Sequence, residues 1–252
     1  TQIRNMSAGF RELADGILPE LRRSRLIINY ETIGRSDDQI KEQYTTDASK
    51  LSADELLYAA ALEDNAEKKE DIYKKTAELY PNDSRAFNNI AALEFAKGNN
   101  DAAQNYLSKA LAVDGNTAEA NANKGLIALL NGNAAEAQTL IAKANGANDL
   151  NKAVGALNIA NGKYAQAEEA MKGINSNTAA LAQILNKNYA GAQTTLNNIK
   201  NKNGLTDYLY AIINARQGNS SAASSYLKSA VQKDPSLASY AANDLEFLNV
   251  NK

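Results

Sequence analysis

The sequence predicts an all-α chain, a solenoid of stacked helix hairpins, and three observations predict it. First, alanine dominates the apolar residues of this 252-residue chain, which has no Trp, three Pro and four Phe. Ala is the best helix former because it loses no side-chain entropy in a helix, so the composition describes thin helices packed closely. Second, short breakers recur: Lys97-Gly98-Asn99, Asn131-Gly132-Asn133, Asn161-Gly162-Lys163, Asn186-Lys187-Asn188 and Gln217-Gly218-Asn219. Their central residues stand about 34, 30, 25 and 31 residues apart, a period typical of helical repeat arrays. Third, small residues follow each breaker: Ala102, Ala103 and Ala110; Ala137 and Ala144; Ala167; Ala192; Ala223 and Ala230.

The chain has two compositional zones. Arg stands at 4, 11, 22, 23, 25 and 35 and then only at 85 and 216, while Lys is absent before Lys41. A boundary is placed in the polar stretch 36–50, giving an N-terminal segment 1–45 and a repeat domain 46–252. In the first zone Phe10, Leu13, Ile17, Leu18 and Leu21 have helical spacing, interrupted by Pro19. Residues 25–33 (RLIINYETI) are rich in β-branched and aromatic residues and read as a strand. A lone strand leaves backbone N–H and C=O groups unpaired. This one is expected to pair with a missing domain, a neighbouring molecule or a short edge. The chain starts at Thr1 rather than Met, and the expectation is a trimmed piece of a longer gene product.

In the second zone each breaker follows one helical stretch and precedes another. Gly, and less readily Asn, takes the left-handed conformation that ends a helix, so the unit is helix, tight turn, helix, longer turn. Two helices approach closely only where facing side chains are small. Leu107, Leu111, Ile141, Met171, Leu196 and Leu227 are expected to fill the remaining space. Residues 52–80 read as a degenerate first unit, the two middle units are short, and Ser236–Leu248 reads as a capping helix after Asp234-Pro235.

These residues carry a resemblance. Ser84–Thr117 resembles a full tetratricopeptide repeat, with Phe87 at the aromatic position, Ala91 at the small one, Gly98 at the turn, and Ala103 and Ala110 in the second helix. The next unit has Gly125 at the small position, with Lys124 where the family has Leu, and Gly204–Lys233 is similar. The resemblance covers about four-fifths of the chain and implies a right-handed superhelix whose first helices line a concave groove. It implies peptide-binding roles for Asn89 and Asn123, with Arg85, Asn88, Lys152, Tyr208 and Arg216 as groove neighbours. The Lys/Asn/Arg set that clamps a C-terminal carboxylate is incomplete. Residues 21–28 (LRRSRLII) are similar to the closing helix-to-strand passage of peptidoglycan-binding domains of the outer-membrane-protein-A type. That similarity implies a repeat protein of a Gram-negative envelope, in particular of the Bacteroidetes.

Catalytic chemistry finds little footing. There is no Cys and no His, which removes thiolate chemistry and the commonest general base. Asp37-Asp38 and Glu168-Glu169 are adjacent pairs, which point in different directions on a helix and read as solvated surface. Arg22, Arg23 and Arg25 read first as the cationic end of a helix and second as an anion site. The run 67–75 has mixed charge at helical spacing and reads as an exposed face. The Asn-Gly pairs at 131, 145, 161 and 203 read as turn formers. Asn5, Asn82 and Asn219 open glycosylation sequons, which matter only in a eukaryotic secretory setting. A net charge of −2 supplies no basic footprint for nucleic acid at the level of the whole chain, and no cofactor is expected. The function expected is a protein-interaction scaffold of the bacterial periplasm or outer membrane. The alternatives are a cytoplasmic location and a glycan- or nutrient-binding lipoprotein, against which the missing Trp counts and which a glycan array would separate.

Overall fold

The computed structural model describes residues 34–250. The helix and strand expected within residues 10–33 lie outside the described residues. The chain divides into two compact units, Thr1–Gln39 and Ile40–Lys252. Fourteen α-helices and two 3-10 turns are found among the described residues. After α1 (Asp37–Asp47) and the turn Ala48–Lys50 come six hairpins: α2 (Ala53–Ala61) with α3 (Ala66–Leu79), α4 (Ser84–Ala96) with α5 (Asn100–Val113), and α6 (Ala118–Leu130) with α7 (Ala134–Lys143). Then come α8 (Leu150–Ala160) with α9 (Tyr164–Ala170), α10 (Asn177–Leu185) with α11 (Tyr189–Asn197), and α12 (Gly204–Arg216) with α13 (Ser220–Lys233). The last elements are α14 (Leu237–Asn243) and the turn Leu245–Phe247. No strand occurs among the described residues.

Local chemistry sets the helix ends. Side-chain oxygens of Ser52, Asn65, Asp83, Asn133, Ser176, Asn188 and Asn203 accept from first-turn N–H groups, which have no partner inside the helix. Every breaker closes its first helix in one way. The Gly98 N–H donates to the Phe95 carbonyl and the Asn99 N–H to that of Glu94, and the pattern repeats at 132, 162, 187 and 218. The central residue is left-handed each time, at φ 82°, 75°, 70° and 79° for the four glycines and 63° for Lys187. The two short middle units, which depart from the repeat pattern in sequence, therefore form hairpins with the same turn as the others.

The interior follows from the register. Five residues after each turn residue stands a fully buried alanine: Ala103, Ala137, Ala167, Ala192 or Ala223. Nine residues after it stands a large buried one: Leu107, Ile141, Met171, Leu196 or Leu227. Seven residues before it stands Ala91, Gly125, Gly155, Ala180 or Ala211, also buried. These last positions pair in a consistent way with the large ones. Leu faces Ala in three hairpins, whereas Ile141 and Met171 face Gly. A Cβ on Gly125 would come within 2.7 Å of Ile141 Cγ1, and one on Gly155 within 2.5 Å of Met171 Cγ and Sδ. The β-branch of Ile and the long chain of Met take the space that a methyl would fill.

The hairpins stack through a row of first helices. In order, α4, α6, α8, α10 and α12 touch one another, and each second helix also packs on the first helix of the next hairpin. At the start, Ile40 and Leu51 join Leu56, Ala60 and Ile72 in one apolar cluster. At the end, the expected capping helix stops at Asn243. Asp244 is extended, and its carboxylate accepts the Glu246 N–H to open the 3-10 turn.

Two outcomes test this register by urea denaturation. Ala103→Leu and Ala137→Leu should each lower stability by about 1–3 kcal/mol through overpacking. Gly125→Ala should also destabilise, and Ile141→Leu in the same chain should recover part of the loss, giving a coupling of about 0.5 kcal/mol or more. Additive effects would show that the two positions do not face each other. Separately, Lys187→Gly should raise stability by about 1 kcal/mol, because a side chain in the left-handed region costs roughly that much. A neutral or lower denaturation midpoint would contradict it.

Candidate functional site

The row of first helices brings three of the expected groove residues together. Asn88 and Asn89 lie on α4, and Asn123 lies on the next first helix, α6. Asn123 Nδ2 donates to Asn88 Oδ1 at 2.9 Å, and Asn88 Nδ2 donates to Asn89 Oδ1 at 3.4 Å. Asn88 is buried, while Asn89 and Asn123 are half-buried. On the other side, burial raises the pKa of the Tyr73 phenol on α3, and a hydrogen bond with Asn89 offsets part of that rise. The three amides and the Tyr73 phenol thus form one polar line across three consecutive hairpins, α2–α3, α4–α5 and α6–α7. An amide donates and accepts at once. Among the described residues Asn123 Oδ1 has no hydrogen-bond partner, so the line ends in an open acceptor.

An apolar cavity of about 90 Å³ adjoins this end, lined by Asn123 together with Ala91, Phe95, Leu107, Leu126 and Ile127. Phe95 is 39% exposed. Position by position, the site offers an amide acceptor for a main-chain N–H and an apolar recess for a small side chain. That pairing suits an extended peptide.

The other expected groove residues are placed differently. Arg85 lies on α4, and its guanidinium grips Asp83 at 2.6 Å and Asp54 at 2.7 Å. Those bonds raise its pKa further above the usual arginine value. Lys152 on α8 is exposed and pairs with Asp149 at 3.0 Å. Tyr208 and Arg216 lie on α12, and the chain's own tail engages both. The Tyr208 hydroxyl donates to Asp244 at 2.6 Å, and its ring meets Phe247 edge-on at 5.3 Å. Arg216 makes a two-pronged pair with Glu246 at 2.9 and 2.5 Å and donates to the Ile184 carbonyl at 2.9 Å. Phe247 is fully buried.

Sequence reading missed the tail contacts. Alternation of acidic and apolar residues in Asp244-Leu245-Glu246-Phe247 is their only local signal, and their partners stand 36 and 30 residues away. Beside the tail lies a groove of about 740 Å³, lined among others by Leu205, Tyr208, Leu237, Tyr240 and Asp244. It is far larger than the recess at Asn123, but Asp244 on its wall is already satisfied by Tyr208, whereas Asn123 carries an open acceptor. Among the described residues no group of acidic side chains could hold a metal ion. Glu168, from one of the adjacent acidic pairs, instead ties hairpins by accepting from Asn186 at 2.7 Å and Asn188 at 2.5 Å. No described helix is long and apolar enough to cross a membrane.

No protein-family model and no curated protein matches the sequence. Solved structures do match. A tetratricopeptide repeat protein from Parabacteroides merdae is 15% identical with a TM-score of 0.55, over 79% of this chain and 85% of that one. The type IV pilus biogenesis factor PilW is 17% identical with a TM-score of 0.54, over 81% and 98%. The APC/C hetero-tetramer Cut9-Hcn1 is 13% identical with a TM-score of 0.62, over 82% of this chain but 43% of the matched one. At such identities the likeness shows the fold, which is that of tetratricopeptide repeats.

The polar line is backed by ion pairs between α3 and α4. Glu70 on α3 is buried between Lys74 and Lys97, and Lys97 also meets Glu94 at 3.1 Å. Burial works to raise the Glu70 pKa, but the bonds from both lysines outweigh it, and the net shift is downward from 4.5. A lowered folded-state pKa gives stability that is full above the unfolded value and is lost as pH falls through the folded one. The denaturation midpoint should therefore fall below pH 4.5, and Glu70→Gln should be less stable at neutral pH with a shallower acid limb. Parallel pH profiles for the two proteins would contradict this.

Proposed function

We propose that this chain is a non-enzymatic protein-interaction scaffold that holds an extended peptide segment of a partner along its row of first helices, with Asn88, Asn89 and Asn123 at the centre. The observation that carries the reading is the amide line from Asn123 through Asn88 to Asn89. It places an open acceptor beside an apolar recess, on a face that stacking leaves uncovered. Stacking consumes the second helices and the sides of the first, while the first-helix face runs on from hairpin to hairpin. Arg85 and Lys152 flank this stretch and contribute charge at its rim. Tyr208 and Arg216 belong to the same face but hold the chain's own tail, so the partner's path runs over α4, α6 and α8 and stops short of α12.

The location proposed is the bacterial envelope, at the periplasm or outer membrane. The similarity of residues 21–28 to peptidoglycan-binding domains supports it, and so does the likeness to a pilus biogenesis factor. On this reading the segment 1–45 closes an upstream domain, its last residues from Ile40 onward packing on the first hairpin, and residues 46–252 are the working repeat module. The partner is a protein, not nucleic acid, consistent with a net charge of −2.

The test is a pull-down from envelope extract, followed by titration of the recovered partner. The double variant Asn89→Ala with Asn123→Ala should bind at least about tenfold more weakly, the factor that follows from losing one or two hydrogen bonds in a desolvated groove. Its helicity and melting temperature should stay within a few degrees of the parent. Equal affinity for the two forms would exclude the groove and move attention to the apolar cleft beside Tyr240.

A further inference from the structure

The chain has four Asn-Gly pairs, at 131, 145, 161 and 203. All four asparagines are exposed, so exposure does not distinguish them. Hydrogen bonding does. From it we infer that Asn145 is a site of spontaneous covalent modification, the one place in the described repeat array where an Asn-Gly bond is free to deamidate.

The chemistry needs two things. The glycine nitrogen must be able to lose its proton and reach the Asn side-chain carbon, and the Asn backbone and side chain must be free to rotate. The nitrogen then attacks Cγ, the bond from Cγ to the side-chain nitrogen breaks, and ammonia leaves. The product is a five-membered succinimide. Water opens it at one carbonyl or the other, giving Asp or isoaspartate. The net change is one water taken up and one ammonia lost, with no oxidant or cofactor.

Three of the pairs are held back. The Gly132 N–H donates to the Leu129 carbonyl and the Gly162 N–H to that of Ile159, each at 3.0 Å. The next residue closes the turn in each case, with Asn133 donating to Ala128 and Lys163 to Asn158, both at 2.8 Å. These glycine nitrogens are tied into the helix ends. At Asn203 the side chain is the locked part. Its Oδ1 accepts from the Thr206 N–H, the Thr206 hydroxyl and Asn177 Nδ2, all at 3.1 Å, as the cap of α12. Rotation toward Gly204 would break all three bonds, and Gly204 itself is buried, with no space for adjustment beside Ala230 and Asp234.

At Asn145 both the glycine nitrogen and the side chain are unbonded among the described residues, although the Ala147 N–H still closes the turn around them by donating to the Ala144 carbonyl at 3.0 Å. Asn145 sits in the connection from α7 to α8. Gly146 is left-handed at φ 93° and has open space around its α-carbon. The product would place a carboxylate two residues beyond the C-terminus of α7, where the helix dipole disfavours negative charge. IsoAsp would also lengthen the backbone link between the third and fourth of the six hairpins, so the modification acts on how the stack is joined.

The experiment is incubation of the whole chain in mildly alkaline buffer, with peptide mapping by mass spectrometry that separates Asp from isoAsp. A sample in concentrated urea runs beside it. In the folded chain Asn145 should convert roughly tenfold faster than each of the other three, the factor imposed by first breaking a hydrogen bond of ordinary strength. In urea the four should react at comparable rates. Asn145→Gln should remove the early product, and Gly146→Ala should slow it. If Asn131, Asn161 or Asn203 reacts as fast in the folded chain, or if Asn145 stays intact while the urea sample deamidates, the inference is wrong.

Discussion

The structure depends on the close approach of the two helices in each of the five hairpins from α4 to α13. That approach is possible because the residue seven before the turn is Ala or Gly and the residue five after it is Ala. Around this crossing the single large residue, nine after the turn, fills what space remains. The pairing of Leu with Ala, and of Ile141 or Met171 with Gly, shows how tightly the space is divided. Interiors of proteins pack like organic crystals, and here the unit is small enough that one methyl group decides which partner fits. The scarcity of Trp and Phe follows from the same geometry, since a thin hairpin has no room for them at the crossing.

Close crossing within hairpins leaves the stacking between hairpins to the first helices and to the contact of each second helix with the next first helix. Because first helices touch first helices in a row, polar groups on their facing sides come within reach of one another. Asn88 and Asn123 are 35 residues apart yet bonded at 2.9 Å. The same stacking closes the far end. There the chain's own tail lies on α12, and its acidic residues meet Arg216 and Tyr208 as a further structural element would. One face is thus divided into a self-satisfied end and a stretch with an open acceptor and an apolar recess, and the proposed function rests on the second.

Much of the fold was legible in the sequence. The five breakers, the alanines after them and the large residues at 107, 141, 171, 196 and 227 stand where the register places them, because each reports a local requirement: a left-handed turn residue or a crossing too tight for a large side chain. The short middle units were harder to read, since α9 has seven residues and α11 nine, and Lys187 replaces the expected glycine. They form hairpins all the same, because the hydrogen bonds of the turn and the packing of Ala167, Met171, Ala192 and Leu196 outweigh the strain of one left-handed lysine.

The candidate site was legible only in part. Sequence alone determined the helices, their turns, the small-to-large register and the one-repeat spacing of Asn89 and Asn123, since these follow from residues within a repeat of each other. Tertiary structure alone decided that Arg85 is held by Asp54 and Asp83, that Tyr208 and Arg216 hold the tail, and that of the four Asn-Gly pairs only Asn145-Gly146 leaves both its side-chain amide and its glycine N–H unbonded among the described residues. Those outcomes turn on which polar group a neighbouring helix brings within about 3 Å, the reach of a hydrogen bond. Spacing along a chain fixes the face on which a side chain stands. The partner waiting there depends on how the next element is stacked.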